Sequence, residues 1–359
     1  MDITEKKHIE KKAKSWYISN RHIYKKLSSK VESIITEVLD NKDISFHMIT
    51  SRAKEIDSFA KKITDDKYDD PINQIHDLSG IRIITYVEDE VLKVAKAIQE
   101  LFKIDKKNSS DKKTALGVDR VGYKSVHYVC SIKKDRIDLS EYKMFNNKVF
   151  EVQIRTILQH AWAEIEHDRN YKFSGKLPDE LSRRFKLLSG TLELVDREFN
   201  LIANEIDILK SDVIKNVKEG NLNFDVNSTT LNQFFKIKLP ELYKLRLDFE
   251  SIETKAQVGI IQELNDFGIV TLQKFDNIIP SDFESNFIKY LNQIKPTVNG
   301  IFRSLMIIND SDKYFTKAYT KKWSVWASKE DKEWNDFFEK YGVNFIEIHN
   351  KYKVSLYDK

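Results

Sequence analysis

Residues 149–155, Val-Phe-Glu-Val-Gln-Ile-Arg, alternate strictly between apolar and polar side chains. Successive strand residues point to opposite faces of a sheet. Phe150, Val152 and Ile154 therefore share one face, and Glu151, Gln153 and Arg155 the other. A chain holding such a strand must cover one face with helices and leave the other open, to a cleft or to plain solvent. On alternation alone the solvated face is the more economical reading. Residues 80–87 and 126–132 are further strand candidates, and 44–50 is a short alternating segment. Between them lie few breakers, only 10 Gly and 5 Pro in 359 residues, so long helices are predicted. One runs over 5–39, where Ile9, Ala13, Trp16, Ile23, Leu27 and Val31 recur near helical spacing. Others cover 51–63, 88–102 and 157–209, the last interrupted near Lys176 and Pro178, while 105–121 reads as a polar loop. This order predicts an α/β (α+β) domain, a mixed sheet backed by helices.

The polar, weakly patterned segment 211–226 reads as a linker. It divides a first domain, 1–210, from a mostly α-helical second domain, 227–359. There Leu231, Phe234, Phe235, Leu239 and Leu242 return to helical spacing, and Gly268 marks a helix end. A composition of 41% hydrophobic and 32% charged residues fits a folded, soluble chain. Its net charge of +4 neither demands nor excludes a nucleic-acid partner. The single cysteine, Cys130, excludes an internal disulfide and a cysteine-based zinc finger. No stretch approaches the ~18 apolar residues of a membrane helix. The charged start, MDITEKKHIEKKAK, lacks the apolar segment of a secretory signal. A cytoplasmic protein without a membrane partner is expected.

Five pieces carry candidate chemistry. Around the 149–155 strand, Glu151, Gln153 and Arg155 form a polar row. Asp77-Leu78-Ser79-Gly80-Ile81-Arg82 puts a carboxylate just before a strand, where it can reach a metal at the sheet edge. Gly80 there permits a backbone conformation that other residues resist. Arg82 shares a face with Ile84 and Tyr86, so it needs an anionic or stacking partner; a helix cap with a structural ion pair accounts for the piece equally well. Arg52 and Lys54, with Lys61 and Lys62 beyond, put positive charge at a predicted helix start, against the helix dipole. Phosphate would justify that placement, although a plain surface helix is simpler. Gly122-Tyr123-Lys124-Ser125-Val126-His127 combines glycine, aromatic and basic residues at a strand entrance, which suits stacking on a base. Finally His160, Glu164 and His167 share a helical face, without the HExxH order of a zinc peptidase.

Spaced as R-x-K, D-x-x-G-x-R, G-Y-K-S-x-H, E-x-Q-x-R-T and A-W-A-x-I-E-H, these pieces resemble the synthetase domain of the RelA/SpoT family over residues 44–171, with helical flanks on both sides. The resemblance implies a nucleotidyltransferase-like fold. It also implies transfer of the β,γ-pyrophosphate of ATP to a ribose 3′-hydroxyl. Arg52 and Arg82 would flank the adenine, with Lys54 and Lys62 on the phosphates. Asp77 and Glu151 would be the catalytic carboxylates and hold Mg²⁺, with Glu151 also helping to deprotonate the acceptor. Tyr123 would stack on the acceptor base, and His127, Gln153 and Arg155 would order the acceptor. Since the match begins near residue 44, a synthetase-only member is expected.

Two acceptors follow from the resemblance. GDP or GTP would give guanosine alarmones. The tRNA 3′-CCA end is the acceptor of toxic members, which the stretch from His160 onward also resembles, as it does fused capsid-sensing toxin–antitoxin proteins of phage defence. In that second reading the C-terminal domain holds the toxin off. Asp119, four residues before Tyr123, stands where small guanosine-tetraphosphate synthetases usually carry a basic residue. Lys106–Lys113 and Lys313–Trp326 are candidate tRNA contacts, although aromatic residues such as Tyr314 and Phe315 equally suit a helical core. A protein regulator at the C-terminal domain and self-assembly are both compatible with this picture. A third reading, a silent nucleotide-binding module, sits poorly with intact Arg52, Asp77, Tyr123 and Glu151.

Overall fold

A computed structural model describes residues 3–111, 125–172, 177–244, 258–290, 297–319 and 332–353. The chain divides into two compact units, Met1–Asn204 and Glu205–Lys359.

The first unit is built on a six-stranded mixed sheet. Its strands are β1 (Met48–Ala53), β2 (Ser79–Thr85), β3 (Phe102–Ile104), β4 (Ser110–Asp111), β5 (Val126–Ile132) and β6 (Val149–Thr156). The continuous order is β1-β2-β6-β5-β3, and the two-residue β4 also pairs with β5. Among the described residues only β2 and β6 run parallel; the other pairs are antiparallel. This matches the α/β class expected from the order of elements.

Ile81, Ile83, Phe150, Val152 and Ile154 are fully buried on one sheet face. That face is covered by two amphipathic helices, α1 (Ile3–Asn41) and α4 (Glu88–Leu101). α1 buries Ala13, Tyr17, Tyr24, Leu27, Val31 and Leu39, one stripe of helical period. In α4 the same spacing buries Val91, Val94, Ala95 and Ile98. Short helices α2 (Ile56–Lys62) and α3 (Pro71–Gln74) lie between β1 and β2, and α5 (Ile157–Lys172) follows β6 directly. After it comes α6 (Asp179–Lys218).

Two expectations change. Residues 51–53 belong to β1, so Arg52 sits in a strand and not at a helix start; the helix begins only at Ile56. Antiparallel pairing with β2 decides this, because it places Arg52 opposite Gly80. Dipole opposition therefore says nothing about Arg52 and Lys54. The segment 211–226 begins as the last turns of α6, through Lys218, and Val213 and Val217 are buried in the core of the second unit.

In its described residues the second unit is helical, apart from one isolated bridge between Asp225 and Thr271. Gly268 closes the helix Val258–Asp266 at φ 91°, a conformation that favours glycine. A phenylalanine-rich core includes Phe234, Phe235, Phe275 and Phe302. Within it lies a charged cluster. Glu263, 1% exposed, accepts from Arg303 Nε at 2.9 Å and Nη2 at 2.7 Å, and from the Tyr314 hydroxyl at 2.8 Å. Tyr314 and Phe315 are thus core residues, as the helical-core reading of that stretch expects; residues 320–326 lie outside the described residues. No helix among the described residues is long and apolar enough to cross a membrane.

Candidate active site

The sheet face opposite α1 and α4 carries the polar row. Pairing aligns Thr50, Arg82, Gln153 and His127 across β1, β2, β6 and β5. Two residues along, the next row reads Arg52, Gly80, Glu151 and Val129. Residues two apart share a face, so both rows look the same way. Gly80 has no positive φ, so its value is not the backbone freedom expected of it. What matters is its missing side chain: a Cβ there would meet nothing within 4 Å. The gap between Arg52 and Glu151 becomes the floor of a cleft.

That open cleft is lined by Arg52, Lys54, Asp77, Arg82, Glu151 and Gln153, among others. Six predicted site residues thus meet in one place. Lys62 joins through Asp77, whose Oδ2 lies 2.8 Å from Lys54 Nζ and 2.9 Å from Lys62 Nζ. Burial pushes the Asp77 carboxyl up, but the two ammonium groups outweigh it and hold it below the ordinary range. The same ion pair keeps the Lys62 ammonium raised against desolvation. The other oxygen, Asp77 Oδ1, is buried with no hydrogen-bond partner among the described residues.

Glu151 is held from its own face. Its Oε1 lies 3.0 Å from His127 Nδ1, and its Oε2 accepts from Gln153 Nε2 at 3.1 Å. Gln153 Oε1 in turn accepts from Arg155. Burial and the nearby Asp77 push the Glu151 carboxyl up, and contact with His127 more than compensates, leaving it below the ordinary range. His127 Nε2 is buried without a hydrogen-bond partner among the described residues. Tyr123 and Asp119 lie outside the described residues.

Arg82 has the anionic partner its strand position requires: Nη1 lies 2.9 Å from Glu164 Oε1 on α5. His160 Nδ1 stands 3.8 Å from the same oxygen. The helical face of His160 and Glu164 thereby joins the site edge, with Glu164 bonded to a residue of the neighbouring strand. Two supporting residues were not legible at all. Tyr17 and Arg21 of α1 both donate to the Lys54 carbonyl, at 2.6 and 3.0 Å. Only the tertiary fold brings α1 to Lys54, and no motif signals it. Among the described residues there is no cluster of three or more His, Cys, Asp or Glu side chains that could hold a metal. The carboxylates that line the cleft are Asp77 and Glu151.

The family described as a region found in RelA/SpoT proteins matches residues 51–176. The chain is 27% identical over 171 residues to GTP pyrophosphokinase YjbM of Bacillus subtilis, covering 46% of this chain and 75% of that protein. It is 28% identical over 136 residues to GTP pyrophosphokinase YwaC of the same organism, covering 37% of this chain and 60% of that protein. A crystal structure of the small alarmone synthetase 1 from Bacillus subtilis aligns with 54% of this chain and 96% of its own, at 25% identity and a TM-score of 0.43.

Proposed function

From residues 51–176, which make this chain a member of the RelA/SpoT family, we propose that it is a pyrophosphokinase moving the β,γ-pyrophosphate of ATP onto the 3′-hydroxyl of GDP or GTP. One observation carries the proposal. Two carboxylates from separate strand regions, Asp77 and Glu151, share a cleft with Arg52, Lys54 and Arg82, and with Lys62 paired to Asp77. Such transfer needs in-line positioning and neutralisation of phosphate charge more than it needs covalent chemistry from the protein. A bond forms between the acceptor oxygen and the β-phosphorus, the bridge to the α-phosphate breaks, and AMP leaves.

The residues suit Mg²⁺. Carboxylate oxygens are the hard ligands it prefers, completed by phosphate and water. The orphaned Asp77 Oδ1 is a buried acceptor that a cation would satisfy. In this reading Asp77 and Glu151 hold the ion, which supplies charge neutralisation at the phosphates. Lys54 and Lys62 bind phosphate oxygens. The flat guanidinium faces of Arg52 and Arg82 suit an adenine ring. Glu151, held ionised by His127, accepts the 3′-hydroxyl proton. The free Nε2 of His127 and the Gln153–Arg155 pair order the acceptor. A guanosine acceptor draws its support from the relatives, which are named GTP pyrophosphokinases.

The test is incubation with γ-labelled ATP and either GDP or bulk tRNA. Label is expected on the guanosine nucleotide. Label on tRNA alone would overturn the acceptor, and label on neither would overturn the activity. Glu151→Gln should abolish transfer with ATP binding largely retained; sustained turnover would remove Glu151 from its role.

A further inference from the structure

α5 carries Glu164 to Arg82, yet little apolar packing holds this helix. None of its described side chains is buried, and Ile165 is 56% exposed. What fixes α5 is polar and sits at its start. Thr156, the last residue of β6, is fully buried. Its hydroxyl accepts from Gln159 N at 3.2 Å, and its own N–H donates to Gln159 Oε1 at 3.1 Å. This is a reciprocal capping box, Thr-x-x-Gln, on the first turn of α5. A hydroxyl has one proton to donate. Thr156 directs it to Asp196 Oδ2 of α6, at 2.7 Å, which leaves a lone pair for Gln159 N.

Asp196 is itself only 2% exposed. Burial pushes its carboxyl up, contact with Thr156 opposes the rise, and Glu88 adds to it. A buried carboxylate near a second one is costly, so packing alone does not account for an aspartate here. The face of α6 that carries it is anchored. Asn200 Oδ1, one turn on, accepts from Asp89 N of α4 at 2.8 Å, and Asn204 Nδ2 donates to Asp89 Oδ2 at 2.9 Å. α6 also meets α5 a second time, where Trp162 Nε1 donates to the Phe185 carbonyl at 3.3 Å. All these residues belong to the first unit.

We propose that Asp196 is a positioning residue for nucleotide binding: by accepting the Thr156 hydrogen bond it sets the cap that starts α5, and so places Glu164 against Arg82. This rests on the reading of the cleft as a pyrophosphokinase site in which Arg82 flanks the adenine. The adenine is remote from the bond that breaks. Arg82 therefore binds ground state and transition state alike, and its displacement acts on KM and not on kcat.

Steady-state kinetics of the full chain test this, with the acceptor that the labelled-ATP assay identifies. Asp196→Ala is expected to raise the KM for ATP roughly fivefold, the equivalent of one lost cap, with kcat and far-UV circular dichroism unchanged. Asp196→Asn keeps an accepting oxygen and should restore the parent KM. Glu164→Ala should raise the KM too, and Asp196→Ala added to it should change little more, because both act on Arg82. An unaltered KM in Asp196→Ala, an Asn variant as impaired as the Ala variant, or full additivity with Glu164→Ala overturns the inference and leaves the activity standing. A parent that labels neither acceptor overturns the activity itself, and this inference with it. Should Asp196→Ala misfold, Thr156→Val removes the same bond from its other end; the same rise in KM is expected, and its absence overturns the proposal.

Discussion

Asp77 is the residue on which the charge balance of the cleft turns, since one of its oxygens faces two ammonium groups and the other faces none. Asp77→Asn is expected to lower transfer by about 10²–10³-fold, the range for loss of one preorganised electrostatic group; a steady-state assay showing less than tenfold loss would count against its role. The carboxyl also implies a pH response. Its folded pKa lies below the ordinary 3.8, so its stabilising contribution is complete above the unfolded pKa and is lost as pH falls through the lower folded value. Lys62→Met removes one partner and raises the folded pKa, so acid unfolding should begin at higher pH. An unchanged acid midpoint by circular dichroism would contradict this. Gly80 offers a complementary test. A side chain there meets open cleft and not protein, so Gly80→Leu should fold normally yet raise the KM for ATP; an unaltered KM would show that the nucleotide lies elsewhere.

At the scale of elements, the site depends on what lies behind it. α1 supports the sheet through one buried stripe, and it also holds the backbone that carries Lys54, through the Tyr17 hydroxyl and the Arg21 guanidinium. Burial pushes the Tyr17 hydroxyl up to about 12, so it stays a proton donor at every working pH. Tyr17→Phe removes one of two donors to that carbonyl and should cost about 1 kcal/mol, read as a lower midpoint in urea. A midpoint equal to the parent's would mean that Arg21 alone suffices. On the opposite side α5 supplies Glu164 to Arg82, so a strand arginine is oriented by a helix far along the chain.

At the scale of the molecule, the described residues form two hydrophobic cores, one per unit. The second contains the buried Glu263–Arg303–Tyr314 cluster, and Arg303→Met would leave an uncompensated carboxylate there. The expected cost is about 3–5 kcal/mol, confined to the unfolding transition of the second unit in calorimetry. If the transition of the first unit moved equally, the two cores would not be energetically separate.

Strand alternation, the scarcity of breakers and five spaced motifs were enough to read the fold class, the polar face of Glu151, Gln153 and Arg155, and the residues of the cleft. Those signals are local, carried by periods of two and 3.6 residues and by fixed offsets. The sequence misled at Arg52, where a helix was expected, because pairing with β2 overrides local helical preference. It misled at Gly80 too, where the needed property is empty space and not backbone freedom. Tyr17, Arg21 and the Arg82–Glu164 pair were invisible, for their partners lie tens of residues away and meet only when the sheet is assembled. The sequence by itself therefore determined which side chains could carry pyrophosphate transfer. Only the tertiary structure decided which of them share one cleft, because strand register and helix packing, both non-local, set those distances.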